Sequence, residues 1–412
     1  MAKIEQNLNT FPGFIPPRCA SPGGRLGIYA KTESAPLPSP PRVDPETGES
    51  LDVSAPDHRS QRAERWALKS VVNRLLPVSR TSKCMRWLLP HQEARIHKST
   101  AHGRAFYSGL QVCASVWACP VCAAKISERR RSELVSAIDS ARMLGLQVQL
   151  LTLTVPHGLG DDVRLVLDGI LSAWRKSTTS RAGKALRKQI GVRGTVRALE
   201  VTHGNNGFHP HLHVLLFLDQ GYPPSAVQRE FSLLWRDACA KAGLPVPSFE
   251  HGCRVDDGSH AARYASKWGL ESEMTKSHMK KAKTGGKSPW DLLRDVLAKR
   301  DGHEKSAALF RVYAEVFKGR RQLYWSNGLR DLLDVGKEIS DEEVAAIQED
   351  NAQVLAELTV EQWRAILVTK SEAVVLTLAE DHPAALPTLL ESLVVMANKP
   401  VRWRSHVALP EP

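Results

Sequence analysis

A chain of 412 residues with 42% hydrophobic content is long enough for two or three domains with ordinary cores, which excludes a small stapled scaffold. No apolar run reaches spanning length, and the opening MAKIEQNLNTFPGFIPPRCA has no signal-peptide core, so a cytoplasmic protein with no membrane partner is expected. The formal charge of +12 divides into −9 from Asp331 onward (6 Lys/Arg against 15 Asp/Glu) and +21 before it, an excess that points to a polyanionic partner, nucleic acid before membrane, with plain solubility as the alternative.

Residues 1–80 are rich in Pro, Ser and Gly and are expected to be mostly a disordered leader. One short helix is expected within it, where Trp66, Leu68, Val72, Leu75 and Leu76 share a face. Residues 81–130 form a cysteine-rich region. In AAKISERRRSELVSAIDSARML (123–144) apolar residues recur every three or four positions and Gly145 supplies a stop, which predicts a helix. LQVQLLTLTV (146–155) reads as a strand ended by Pro156, and 161–176 as a second helix. GTVRALEVTHGNNGFHPHLHVLLFLD (194–219) reads as two strands joined through HGNNG. A helix over 225–242, a short strand at CRVD (253–256) and a helix opening at Ser259, its expected cap, complete residues 131–330. This order predicts an α+β fold, an antiparallel sheet with helices on one side. Residues 331–412, with SDEEVAAIQEDNAQVLAEL and then Thr359 and Gln362 in capping-box spacing, read as a separate acidic helical module.

The chemistry concentrates in FHPHLHVLLF (208–217). Side chains at i and i+2 share one face of a strand, so His211 and His213 can meet one ion. A hairpin centred near Asn205 and Asn206 puts Glu200 opposite His211. Two imidazoles and a carboxylate with open positions suit Mn²⁺ or Mg²⁺ holding a phosphate oxygen, with zinc chemically allowed. Alternate histidines can also be an ordinary polar strand face. His209 is expected to be structural or substrate-facing rather than a ligand, because Pro210 interrupts the ladder and can turn it away.

Cys119-Pro-Val-Cys122, with Cys113 six residues before it and Cys84 upstream, offers four thiolates for a structural Zn²⁺ site; His97 or His102 is the alternative fourth ligand, and free buried thiols the alternative to a site. Lys280, Lys281, Lys283 and Lys287 form a basic run suited to DNA phosphates or to solvent. Trp268 and Trp290 could each stack a base, although packing is the more ordinary role.

Taken in order, LLTLTVP (150–156), ALEVTHGNNGFHPHLHVLL and RYASKW (263–268) resemble the motifs of the HUH endonucleases, and among them the rolling-circle plasmid replication initiator (Rep) proteins. With the cysteine-rich segment and GRRQLYWSNGLRDLL, the resemblance covers roughly residues 81–334. It implies an HUH-type antiparallel sheet with flanking helices. It also implies DNA nicking and joining by a tyrosine that stays linked to the 5′ end and leaves a 3′ hydroxyl to prime rolling-circle replication. Tyr264 matches the nucleophile, Lys267 lies one turn on, and Glu200, His211 and His213 match the metal motif. The family's plasmid class often carries a glutamate where this chain has His260, whose imidazole can act as a general base. Plasmid origin DNA, cleaved as a single-stranded or extruded segment, is the implied substrate, with host helicase and DNA polymerase as partners. A transposase or relaxase of the same chemistry and a non-catalytic zinc-containing DNA-binding regulator are the rival readings.

Overall fold

The computed structural model describes residues 58–100, 103–268, 286–347 and 352–398. All of these belong to one unit, Ala55–Pro412. Its centre is a five-stranded antiparallel sheet made of β3 (Gln147–Leu153), β4 (Val192–Gly204), β5 (Gly207–Leu218), β6 (Cys253–Asp256) and β7 (Leu323–Trp325), in the order β6-β3-β5-β4-β7. The expected hairpin is there: β4 and β5 pair from Val192↔Leu218 to Gly204↔Gly207, which centres the turn on Asn205 and Asn206.

Helices cover both faces of this sheet rather than the single face expected. The reason lies in VLLFL (214–218), an unbroken apolar run whose alternate members point to opposite sides. Leu215 and Phe217, with Leu150, Val196 and Ala198, pack under Leu134 and Ile138 of the helix Pro120–Met143 and Ala261 and Ala265 of the helix Gly258–Ser266. Leu212, Val214 and Leu216 pack on the other side against the helices Val163–Thr179 and Pro224–Lys241, through residues such as Ile170, Phe231 and Trp235. Gly145 (φ +68°) ends the long helix in a left-handed turn, as its position after the apolar repeat predicts.

A second, three-stranded antiparallel sheet has the order β2-β1-β8, with β1 at Ala94–Lys98, β2 at Ala105–Ser108 and β8 at Gln353–Leu358. Here the structure corrects the expectation for residues 331–412 in two ways. Residues 353–358 form a strand instead of continuing a helix, because QVLAEL finds a pairing edge at β1. The segment also does not stand apart: Trp363, Ile366, Val375 and Leu376 bury against Trp66, Ile96 and Tyr107 in one core. The capping box of Thr359 and Gln362 does form.

The helix near residue 66 spans His58–Leu75, and Leu68, Val71 and Val72 are fully buried beside the cysteines. The segment 58–75 is thus part of the core. No helix among the described residues is long and apolar enough to cross a membrane.

Candidate functional site

The site occupies the polar end of one sheet face. Along β4 and β5 the apolar pairs Val196, Ala198, Leu215 and Phe217 give way to Glu200, His211 and His213, which leave the sheet on the same side. Glu200 pairs with His211 across the hairpin. Its Oε2 lies 3.6 Å from Nε2 of His211 and 3.6 Å from Nε2 of His213. The ligand atoms of all three residues fall within 4.8 Å of one another.

Both imidazoles are oriented through the ring nitrogen that faces away from Glu200. His211 Nδ1 sits 3.0 Å from the carbonyl oxygen of His209, which cannot donate, so Nδ1 carries the proton and Nε2 presents a lone pair. His213 Nδ1 contacts Thr152 Oγ1 at 3.0 Å, the residue opposite it on β3. Such outer partners are what fix histidines as metal ligands. Donors roughly 3 Å apart suit an ion bound at about 2.1 Å in octahedral geometry, and the two imidazoles and one carboxylate need only a small inward movement to reach that spacing. Burial opposes ionisation of Glu200, but when His213 and His211 are protonated their charge and the His211 hydrogen bond, with the hydrogen bond from Tyr264, outweigh it and hold the carboxyl at about 2. Burial lowers His213 as well, which favours the neutral, ligating form.

Tyr264 reaches this cluster from the helix Gly258–Ser266. Its hydroxyl donates to Glu200 Oε1 at 2.7 Å, its ring lies 4.9 Å from that of His213, and Trp268 meets it edge-on at 5.7 Å. The helix is held by Ala261 and Ala265, both fully buried, and is capped by Asp257, whose side chain accepts from the backbone of Ser259 and His260. Asp257 therefore replaces the expected Ser259 as cap. Its carboxylate can take both N–H groups, and hydrogen bonds from the Ser259 hydroxyl and the His260 ring, with those from the backbone, hold it well below the usual range.

The other expected site residues are less closely assembled. His260 is exposed on the first turn of the helix, with Nδ1 3.1 Å from Asp257 Oδ1. Lys267 is the exposed C-cap residue and makes no hydrogen bond or ion pair with the cluster among the described residues. Lys287 pairs with the buried Asp295 at 2.7 Å and bridges to His203 through its backbone. Lys280, Lys281 and Lys283 lie outside the described residues, as does His102. Trp268 and Trp290 are both buried and act in packing.

His209 is not turned away as expected. Pairing continues through Val201↔Pro210 and Thr202↔His209, because β3 ends opposite Leu212 and leaves Pro210 a free edge that needs no donor. Its ring stacks on His211 at 5.1 Å, and its Nδ1 lies 3.2 Å from Nδ1 of His157. Burial, with charge on His211 and His157, lowers His209 to about 4. Sequence reading missed His157 and Thr152. The period-2 pattern of LLTLTVP marks Thr152 as sharing a face with Leu150, but only the strand register brings it to His213.

The four expected cysteines converge elsewhere. Cys84, Cys113, Cys119 and Cys122 are buried, with Sγ atoms within 4.8 Å of one another. The separations are 3.4 Å for Cys84 to Cys122, 3.7 Å for Cys84 to Cys119 and 3.8 Å for Cys113 to Cys122. A tetrahedral ion with Zn–S bonds of about 2.3 Å spaces its sulfurs roughly 3.8 Å apart, whereas a disulfide needs about 2.05 Å. The spacing thus fits four thiolates around one ion. His97, the alternative ligand, instead contacts Ser108 Oγ at 2.7 Å and stacks on Phe106.

The sheet thus holds a tyrosine against two histidines and a carboxylate. The chain belongs to a family of replication proteins, whose family model matches residues 107–371. It is 27% identical over 301 residues to the Protein rep of Streptomyces lividans, covering 57% of this chain and 66% of that relative. It is 30% identical over 148 residues to a Neomycin resistance protein of Streptomyces cyanogenus (30% of this chain, 34% of the relative). With the Protein rep of Lentilactobacillus hilgardii it shares 28% over 147 residues (32% and 43%). The chain thus spans less than two thirds of each of these relatives. No solved structure matches it.

Proposed function

We propose that this protein is a site-specific, metal-dependent DNA nicking and joining enzyme of the HUH type that initiates rolling-circle replication of a plasmid. One observation carries the reading: Glu200 divides its oxygens, with Oε1 accepting from the Tyr264 hydroxyl and Oε2 facing both histidines. A nucleophile and a three-donor cluster thereby share one carboxylate.

Glu200, His211 and His213 would hold a Mn²⁺ or Mg²⁺ ion, which when bound supplies Lewis-acid withdrawal of charge from the scissile phosphate. Glu200 Oε1 takes up the proton as the Tyr264 oxygen bonds to phosphorus. The bond from phosphorus to the 3′ oxygen breaks, that oxygen takes a proton from water while Glu200 returns its own to water, and the 5′ phosphate remains esterified to Tyr264. The phosphodiester energy is conserved, so rejoining needs no added energy source. His260, exposed one turn before Tyr264, would serve as a base for a later strand transfer, and Lys267 would neutralise the phosphate. Cys84, Cys113, Cys119 and Cys122 would hold a structural Zn²⁺. Plasmid origin DNA is the substrate in this reading, with host helicase and polymerase acting downstream in the bacterial cytoplasm.

The test is nicking of supercoiled origin DNA with Mn²⁺. Wild-type protein should nick and Tyr264→Phe should not; equal nicking by both removes Tyr264 from the reaction, and binding without cleavage by the wild type favours a DNA-binding regulator instead.

A further inference from the structure

Arg197 sits on β4 three residues before Glu200, so its side chain leaves the sheet on the opposite face. Five arginines among the described residues are buried: Arg62, Arg130, Arg197, Arg294 and Arg330. Arg62 pairs with Glu380, Arg130 and Arg330 share Glu133, and Arg294 holds Glu64 and Asp291. Arg197 alone has no carboxylate partner among the described residues. Its Nη2 reaches the carbonyl oxygen of Arg321 at 3.4 Å, and its buried Nη1 has no hydrogen-bond partner among them.

The neighbouring charge makes the imbalance worse. The guanidinium carbons of Arg197 and Arg321 each lie 5.9 Å from the centre of the Tyr324 ring, so two cations converge on one aromatic face pair. Burial, followed by the opposing influences of Tyr324 and Arg321, brings the Arg197 guanidinium down to about 10. A buried cation without a counter-ion is costly, and an orphaned guanidinium nitrogen calls for a missing acceptor. The place is open to a ligand: Tyr324 is 41% exposed on the edge strand β7. Arg321, whose contact with Glu338 is a long 3.9 Å, is itself exposed.

We infer that Arg197, Arg321 and Tyr324 form a phosphate-binding site on the face of the sheet away from Glu200. Planar guanidinium forks match phosphate oxygens, and an exposed aromatic ring between them suits an adjoining base. The phosphate can belong to a nucleic-acid strand or to a free phosphate compound. The inference does not rest on the nicking reading, and its test uses no cleavage.

The experiment compares wild type, Arg197→Met and Arg321→Ala as full chains, by thermal unfolding in inorganic phosphate against sodium chloride at matched ionic strength, and by single-stranded oligonucleotide binding across a salt series. Phosphate should raise the wild-type midpoint and leave both variants unmoved. Without phosphate, Arg197→Met should unfold at or above the wild-type temperature, since it removes an uncompensated buried charge; a purely structural arginine would give the reverse. Should Arg197→Met fail to fold, the exposed Arg321→Ala still reads out the site. A roughly tenfold loss of oligonucleotide affinity, with the salt slope reduced by about 0.7, assigns the site to a nucleic-acid strand. Phosphate protection with unchanged oligonucleotide affinity assigns it to a free phosphate compound. Equal phosphate response in all three proteins, or none in the wild type, overturns the inference.

Discussion

Tyr264 donates its hydroxyl to Glu200 at 2.7 Å, joining a helix to a strand across 64 residues of sequence. The bond ties the proposed nucleophile to a residue of the proposed metal cluster, yet the helix is docked independently by Ala261 and Ala265. Tyr264→Phe should therefore keep its fold, losing about 1–2 kcal/mol with one charge-assisted hydrogen bond, while nicking disappears. Chemical denaturation alongside the nicking assay checks both halves.

The metal cluster should respond at two levels. Mn²⁺ should raise the unfolding temperature of the wild type and not that of His213→Ala or Glu200→Ala. Thr152→Val removes only the partner of His213 Nδ1, so metal affinity should fall about 10- to 100-fold without loss of the site. Calorimetric titration with Mn²⁺ distinguishes the two, and unchanged affinity in Thr152→Val would show that Thr152 does not orient the ring.

The four-cysteine cluster sits in the core with Leu68, Val72 and Trp117, so its ion should be structural. Elemental analysis of the purified chain should find about one zinc per molecule. Cys119→Ser or prolonged chelation should lower the unfolding temperature markedly, because four buried thiols lose what held them together. Full stability in a zinc-free preparation would contradict this.

A buried charge network fixes the long helix to the segment after β7. Glu133 accepts from Arg130 and Arg330, each at 3.1 Å, and Arg130 also holds Asp341 at 3.0 Å. Burial alone would raise the Glu133 carboxyl; the hydrogen bond from Arg330 and the charges of both arginines outweigh it and hold it below the usual range. Glu133→Ala should cost about 3–5 kcal/mol at neutral pH, leaving the buried Arg330 without a carboxylate and Arg130 with Asp341 alone. Because the folded-state value is depressed, this stabilisation is present above the unfolded value of about 4.3 and is lost as pH falls through the folded one. Urea titrations at pH 7 and pH 3 should show the gap between wild type and variant narrowing in acid.

Much of the site was legible because it is local. The spacing of His211 and His213, and the turn at Asn205 and Asn206, fix a register in which Glu200 has one possible partner. The cysteines were readable as a group for the same reason, through Cys119 and Cys122, although choosing Cys84 over His97 required the fold. What stayed hidden depends on distant pairing. Residues 353–358 carry no alternation that marks a strand, and they become one only where β1 offers an edge 255 residues or more upstream. The Arg197 imbalance is equally invisible in sequence, since an arginine in a strand normally finds a carboxylate or water. His209 stays outside the three-donor cluster as expected, but not because Pro210 breaks the ladder: the cost of a proline depends on whether a neighbour strand lies on its donor side.

The most direct measurement of the central claim is mass spectrometry of the protein digested after reaction with a single-stranded origin oligonucleotide and Mn²⁺. The peptide containing Tyr264 should carry the 5′ phosphate of the cleaved strand on its phenolic oxygen, and Tyr264→Phe should yield no adduct. Cleavage with the adduct on another residue, or with no adduct trapped on the wild-type chain, would contradict the account.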